Sequence, residues 1–274
     1  MSIGNNIRLL VRGDDIGSSH SANLGCIRSY THGIVKSLEL MTVCAWFEEA
    51  CIMLNQHPNV DVGIHLTLTS EWEGVKWKPI TSASSLIEDN GCFFPMLTGE
   101  KYYPKRRSLS NNDWKIFDIE KEFRAQIELG LKRVKQVSHL SFHMNCHMLD
   151  SEVTNLCVKL GEEYGLSNLE IGAQDIKQIR GYKGIIDHEE RIDKFISSLY
   201  ELNEGDYLFI DHPSLDSEEM RATKHNGYEN VAEDRFSCLK VFTDPRVKHA
   251  IEDLGIKLIS YADMKKKTLH DDKA

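Results

Sequence analysis

Short β-rich runs alternate with amphipathic helical segments six or seven times along the 274 residues, and this rhythm limits the fold more than any other feature. Repeated strand–helix alternation builds a parallel sheet covered by helices. We read strands at residues 7–11, 34–41, 60–68, 137–143, 169–172, 207–210 and 256–260. Helices are read at 21–32, 46–56, 116–134, 153–164, 192–199 and 244–254. The clearest is the central one, where Ile116, Ile119, Phe123, Ile127, Leu131 and Val134 fall on one stripe. Residues 70–115 break the rhythm with Trp72, Trp77, Trp114 and three prolines, and read as an inserted active-site loop or lid. Residues 1–264 are expected to form a single domain, with 265–274 a frayed tail.

In a parallel α/β sheet, open or closed into a barrel, chemistry gathers at the C-terminal ends of the strands. Four such ends carry acidic or imidazole groups. Asp14 and Asp15 end the first strand, His65 lies late in the third, His143 and His147 follow the fourth, and Asp211 and His212 end the "YLFI" strand. Each has an ordinary alternative. Paired aspartates before a helix often cap it. A strand histidine is often a hydrogen-bonded core residue, and His-Pro at 212–213 is often a turn. Recurrence at four ends is what points to a divalent metal, because Asp with His is a common ligand set. A metal held by one carboxylate and two imidazoles keeps open positions for water and substrate. A second carboxylate beside it can act as general base. Adjacent aspartates suit that division of labour.

A net charge of −9 argues against nucleic acid or an anionic membrane as partner. No apolar run approaches a membrane span. Seven irregularly spaced cysteines and no signal-peptide pattern lead us to expect reduced thiols and a cytoplasmic location. Arg12-Gly13-Asp14 matches a cell-adhesion tripeptide, but it continues a strand and is set aside.

Several segments, in order, resemble the YdjC-like (ChbG/HpnK) carbohydrate deacetylases. "VRGDDIGSSHSANLG" resembles the family's "NADDFG" opening, and "DVGIHLTLT" its "GxHxxLT" strand. "VSHLSFHMNCHML" resembles "THxDSHHHVH", "FIDHPS" resembles "xMCHP", and "DRFSCLKVF" begins its closing segment. The resemblance implies an irregular (β/α) barrel, TIM-barrel-like, with parallel strands and outer helices, commonly a homodimer. It implies that Asp15, His65 and His143 bind metal, that Asp14 is the base, and that His212 is an acid or oxyanion stabiliser. His147, Arg235, Trp72 and Trp77 are candidates for substrate binding. The implied reaction removes the acetyl group of a small N-acetylated sugar such as an N-acetylglucosamine disaccharide. The implied ion is Mg2+, with Zn2+ as the chemical alternative. Departures from the pattern are Arg12 for Asn, Ser141 for Asp, Met144-Asn145 for His-His and Asp211 for Cys. A phosphoester hydrolase and a non-catalytic sugar binder are the competing functions.

Overall fold

The computed structural model describes residues 6–99, 101–172, 176–182 and 184–264; the tail expected at 265–274 lies outside them. Seven strands are found among these residues: β1 (Ile7–Ile16), β2 (Ser37–Leu40), β3 (Asp61–Leu66), β4 (Val137–Phe142), β5 (Ile176–Gln178), β6 (Gly205–Asp211) and β7 (Lys257–Ile259). All pair in parallel, in the order β4-β3-β2-β1-β6-β5. β7 pairs with residues 8–10 of β1, and β2 with its residues 12–16. The end strands β4 and β5 do not pair among the described residues, so the sheet is an irregular, incompletely closed barrel. The helices are α1 (His20–Thr31), α2 (Phe47–Gln56), α3 (Ile116–Arg133), α4 (Ser151–Tyr164), α5 (Leu169–Gly172), α6 (His188–Tyr200), α7 (Glu218–Arg221), α8 (Val231–Thr243) and α9 (Pro245–Asp253).

The central strand β1 explains how this sheet makes both a core and a site. Successive side chains point to opposite faces. Leu9 and Val11 enter the apolar layer under the helices, with Cys26 of α1 and Phe242 of α8. Leu10 faces the other way, onto Ile259 and Tyr261. Arg12 continues on Leu10's face and reaches the Tyr261 hydroxyl at 3.1 Å. The adhesion tripeptide is therefore inaccessible, with Arg12 and Asp14 both buried.

Two departures from the sequence reading have local causes. Residues 169–172 form α5 and not a strand; the alternating Leu169 and Ile171 imitate one. Asn168 bonds its side-chain nitrogen to Cys157 O at 2.8 Å and accepts from Ile171 N at 3.0 Å, which starts a helical turn. Residues 176–178 take the sheet position, as β5. The helix α8 carries no clean apolar stripe because it is buried on several sides, Arg235, Ser237 and Cys238 included.

The 70–115 region is a packed element with three short 3-10 turns. Leu86, Phe93 and Leu109 share a core with Ile119, Phe123 and Ile127 of α3. Buried Glu122 of α3 accepts from Ile80 N and Thr81 N, both at 3.0 Å, and from Thr81 Oγ1 at 2.6 Å. Gln126, one turn on, exchanges two 2.9 Å bonds with the backbone of Thr67. Buried polar groups bonded in this way fix an irregular segment, since breaking one partner leaves the other unsatisfied. All seven cysteines are free and buried, and no helix among the described residues is long and apolar enough to cross a membrane.

Candidate metal centre

The pairing of β1 with β2 slips between Gly13 and Ile16, where three steps on β1 answer two on β2. This bulge holds Asp15 at φ 71°, in the left-handed region that aspartate tolerates better than most residues. In a flat strand Asp14 and Asp15 would face opposite sides. With the bulge, both approach one imidazole: His65 Nε2 lies 3.8 Å from Asp14 Oδ2 and 3.6 Å from Asp15 Oδ1. Neither aspartate caps α1; Ser19 does, accepting from Ala22 N.

His143, just past β4, completes the cluster, with Nδ1 3.4 Å from Asp15 Oδ1. One ligand atom from each of Asp15, His65 and His143 lies within 4.8 Å of the others, and all three residues are buried. The remaining ring nitrogens are occupied. His65 Nδ1 bonds Ser141 Oγ at 2.8 Å, and His143 Nε2 bonds Glu71 Oε2 at 3.0 Å. Metal-binding histidines are oriented in this way, with the far nitrogen tied to an oxygen acceptor. Asp15 Oδ2 takes a 2.8 Å contact from Arg235. Asp15 Oδ1 is buried with no hydrogen-bond partner, an arrangement that is costly unless something else binds it. These residues fit a divalent cation.

The protonation states of His65 and Asp15 agree with that fit, while His143 must give up a proton to bind a cation. Burial lowers the His65 pKa, and the neighbouring His143 lowers it further, which keeps the ring neutral. For Asp15 burial works the other way, but Arg235, His212 and His143 outweigh it and hold the carboxylate ionised. For His143, burial is outweighed by Glu71 and Asp15, which raise it to about 10 in the absence of a cation. His212 is likewise raised, chiefly by Asp15 against the effect of burial.

A cavity of about 910 Å³ opens over the cluster. Asp14, His212, Trp72, Glu71 and Arg235 all line it. His212 Nε2 is 4.0 Å from Asp15 Oδ2, and its ring is partly exposed. Its position is set by close packing of α1: a Cβ on Gly25 would lie 2.5 Å from Pro213 O and Ser214 Cα. Asp14 is gripped by both arms of Arg12, at 2.7 and 2.8 Å. The Trp72 ring stacks on His225 at 5.5 Å and carries Arg235 at 5.3 Å. Two other residues expected at the substrate lie elsewhere. Trp77 is buried behind His143 and donates to Thr69 O at 2.7 Å. His147 packs on Phe142 at 4.3 Å and does not line the cavity.

Two carboxylates that touch this arrangement escaped the sequence reading. Glu71 sits in the irregular stretch after β3. Its only signal is an acidic residue two positions past the "HLTLT" run. Glu39 lies in β2, fully buried, and accepts from Ser141 Oγ and from His139 Nε2, the latter at 2.9 Å. Burial opposes its ionisation, and His139 outweighs it, so its pKa is lowered.

The profile of the YdjC-like protein family matches residues 8–253. A carbohydrate deacetylase of Clostridium beijerinckii is 28% identical over 268 residues, covering 94% of this chain and 100% of that relative. Carbohydrate deacetylase 2 of Listeria innocua is 25% identical over 272 residues, covering 95% and 100%. Among solved structures, a protein of Enterococcus faecalis V583 named for cellobiose-phosphate cleavage superposes with a TM-score of 0.73 at 21% identity, over 94% of this chain and 99% of that one. That likeness concerns the fold. The family match runs from the second residue of β1 to the end of α9, and it places the chain in the YdjC-like family.

Proposed function

We infer that the chain is a carbohydrate N-deacetylase that depends on a divalent ion. The observation that carries the metal is the buried Asp15 Oδ1, which has no hydrogen-bond partner and faces two oriented imidazoles. The relatives named carbohydrate deacetylases supply the substrate class. The reading takes residues 1–264 as one functional unit, cytoplasmic and homodimeric, as the family resemblance implies.

A divalent ion at this centre would supply Lewis acidity to an amide carbonyl and to a water. Asp14, beside it, takes the proton of the attacking water. Arg12 fixes that carboxylate in place, and its fork leaves each oxygen a further lone pair. His212, with its raised pKa, stands across Asp15 as a donor to the developing oxyanion or the leaving nitrogen. Arg235 engages Asp15 Oδ2, which would leave Oδ1 to hold an ion, and Arg235 is itself braced by Trp72. Two imidazoles and one carboxylate suit Zn2+ better than Mg2+, which prefers oxygen ligands. The proposal therefore favours zinc over magnesium. A phosphoester hydrolase is less well supported, because Arg12 and Arg235 are engaged by Asp14 and Asp15 instead of being presented to a phosphate.

The test is acetate release from an N-acetylglucosamine disaccharide by purified protein. Chelation should abolish it, and Zn2+ should restore it. Turnover that persists in metal-free protein would overturn the metal dependence, and absence of acetate with metal bound would overturn the reaction. Glu71→Gln should weaken Zn2+ binding by roughly 10–100-fold, the usual cost of losing an oriented partner of a metal-binding histidine. Calorimetric titration measures it, and an unchanged affinity would remove Glu71 from the site's support.

A further inference from the structure

We propose that Glu39, on β2, is the positioning residue that sets the tautomer of His65 through the hydroxyl of Ser141. It thereby supplies from β2 a carboxylate that position 141, a serine, does not itself carry. The proposal rests on the metal-site reading above.

The geometry begins with register. β2, β3 and β4 lie side by side, with Glu39 opposite Gly63, Gly63 opposite His139, and His65 opposite Ser141. The Glu39 side chain crosses over β3 to reach β4. It passes where Gly63 has no side chain: a Cβ there would lie 2.0 Å from Glu39 Oε2 and 2.5 Å from His139 Nε2. Glu39 is fully buried and does not line the cavity, so it cannot touch substrate. Its Oε1 accepts from His139, and its Oε2 accepts from Ser141 Oγ.

The direction of the hydrogen bonds follows from counting protons. An ionised carboxylate has none to give. Ser141 must therefore donate its single hydroxyl proton to Glu39. Its oxygen is then only an acceptor toward His65 Nδ1, 2.8 Å away. The His65 proton sits on Nδ1, and Nε2 presents a lone pair toward Asp15 Oδ1. That is the tautomer a cation at this centre requires. A glutamine at position 39 would remove the constraint. Its amide can donate to Ser141, whose hydroxyl is then free to donate to Nδ1, which moves the ring proton to Nε2.

The competing role for Glu39 is as counter-ion to buried His139 alone. Three variants separate the two: Glu39→Gln, Ser141→Ala, and the double variant Glu39→Gln/Ser141→Asp. Ser141→Ala leaves the Glu39–His139 pair intact, and the double variant places a carboxylate directly on His65. The His65 ring nitrogens are read by 15N NMR in metal-free protein, and Zn2+ affinity by calorimetry. Wild type should show Nδ1–H. Glu39→Gln and Ser141→Ala should populate Nε2–H and bind Zn2+ roughly 10–100-fold more weakly. The double variant should recover both properties. A Ser141→Ala protein with wild-type tautomer and affinity would overturn the relay. So would a Glu39→Gln defect that Asp at 141 fails to repair. If wild type binds no Zn2+, the metal reading fails, and the tautomers alone still decide the relay.

Discussion

His65→Ala should lose its bound ion and nearly all acetate release. The variant removes one of three side chains that converge on the centre, leaving Asp15 and His143. Lewis acidity is worth several kcal/mol at the transition state, and each 1.36 kcal/mol is a factor of ten in rate. Loss of activity on the order of 10³-fold or more is therefore expected. Metal analysis of the purified variant checks the cause, and a thermal unfolding curve shows whether the fold survives. One ion retained per chain would remove His65 from the ligand set.

Asp14→Asn should instead keep the ion and lose the chemistry. The amide nearly preserves shape, and Arg12 keeps a carboxylate partner in Glu170. A positioned base is worth roughly 10²–10⁴ in rate, so kcat should fall by that factor with metal content unchanged. Asp15→Asn is the matched control. Asparagine also tolerates the left-handed backbone found there, so its failure should lie in metal binding and not in strain. Two adjacent positions would then fail in different ways. A fully active Asp14→Asn enzyme would end the base assignment.

Some of this was readable without coordinates. The alternation of strands and helices appears in the structure, because buried parallel strands must be apolar and the helices covering them amphipathic. Asp15, His65 and His143 are brought together because strand ends in such a sheet share one side. The failures concern groups whose partners are distant in sequence. Glu39 looked like an ordinary strand position in "SLEL", since the gap over Gly63 exists only when β2, β3 and β4 are assembled. Glu71 lies in a segment with no periodicity to place it. His147 stands four residues after His143, a spacing that suggests a shared site. Two left-handed residues intervene, Met144 at φ 50° and Asn145 at φ 56°. They turn the chain so that His147 packs on Phe142. Trp77 was expected to face sugar, yet its indole N–H is bonded to Thr69 O within the packed insert.

The centre draws its groups from β1, β3 and the residue after β4, far apart along the chain. An unfolded polypeptide offers no such constellation. An ion bound there would act as a removable cross-link joining three strands, present only in the native state. Its occupancy then becomes part of the folding equilibrium: at 100 times the dissociation constant it would add about 2.7 kcal/mol to stability. A native domain is stable by only about 5–15 kcal/mol. The supply of a trace ion would thus help govern how long the protein survives, as well as how fast it works.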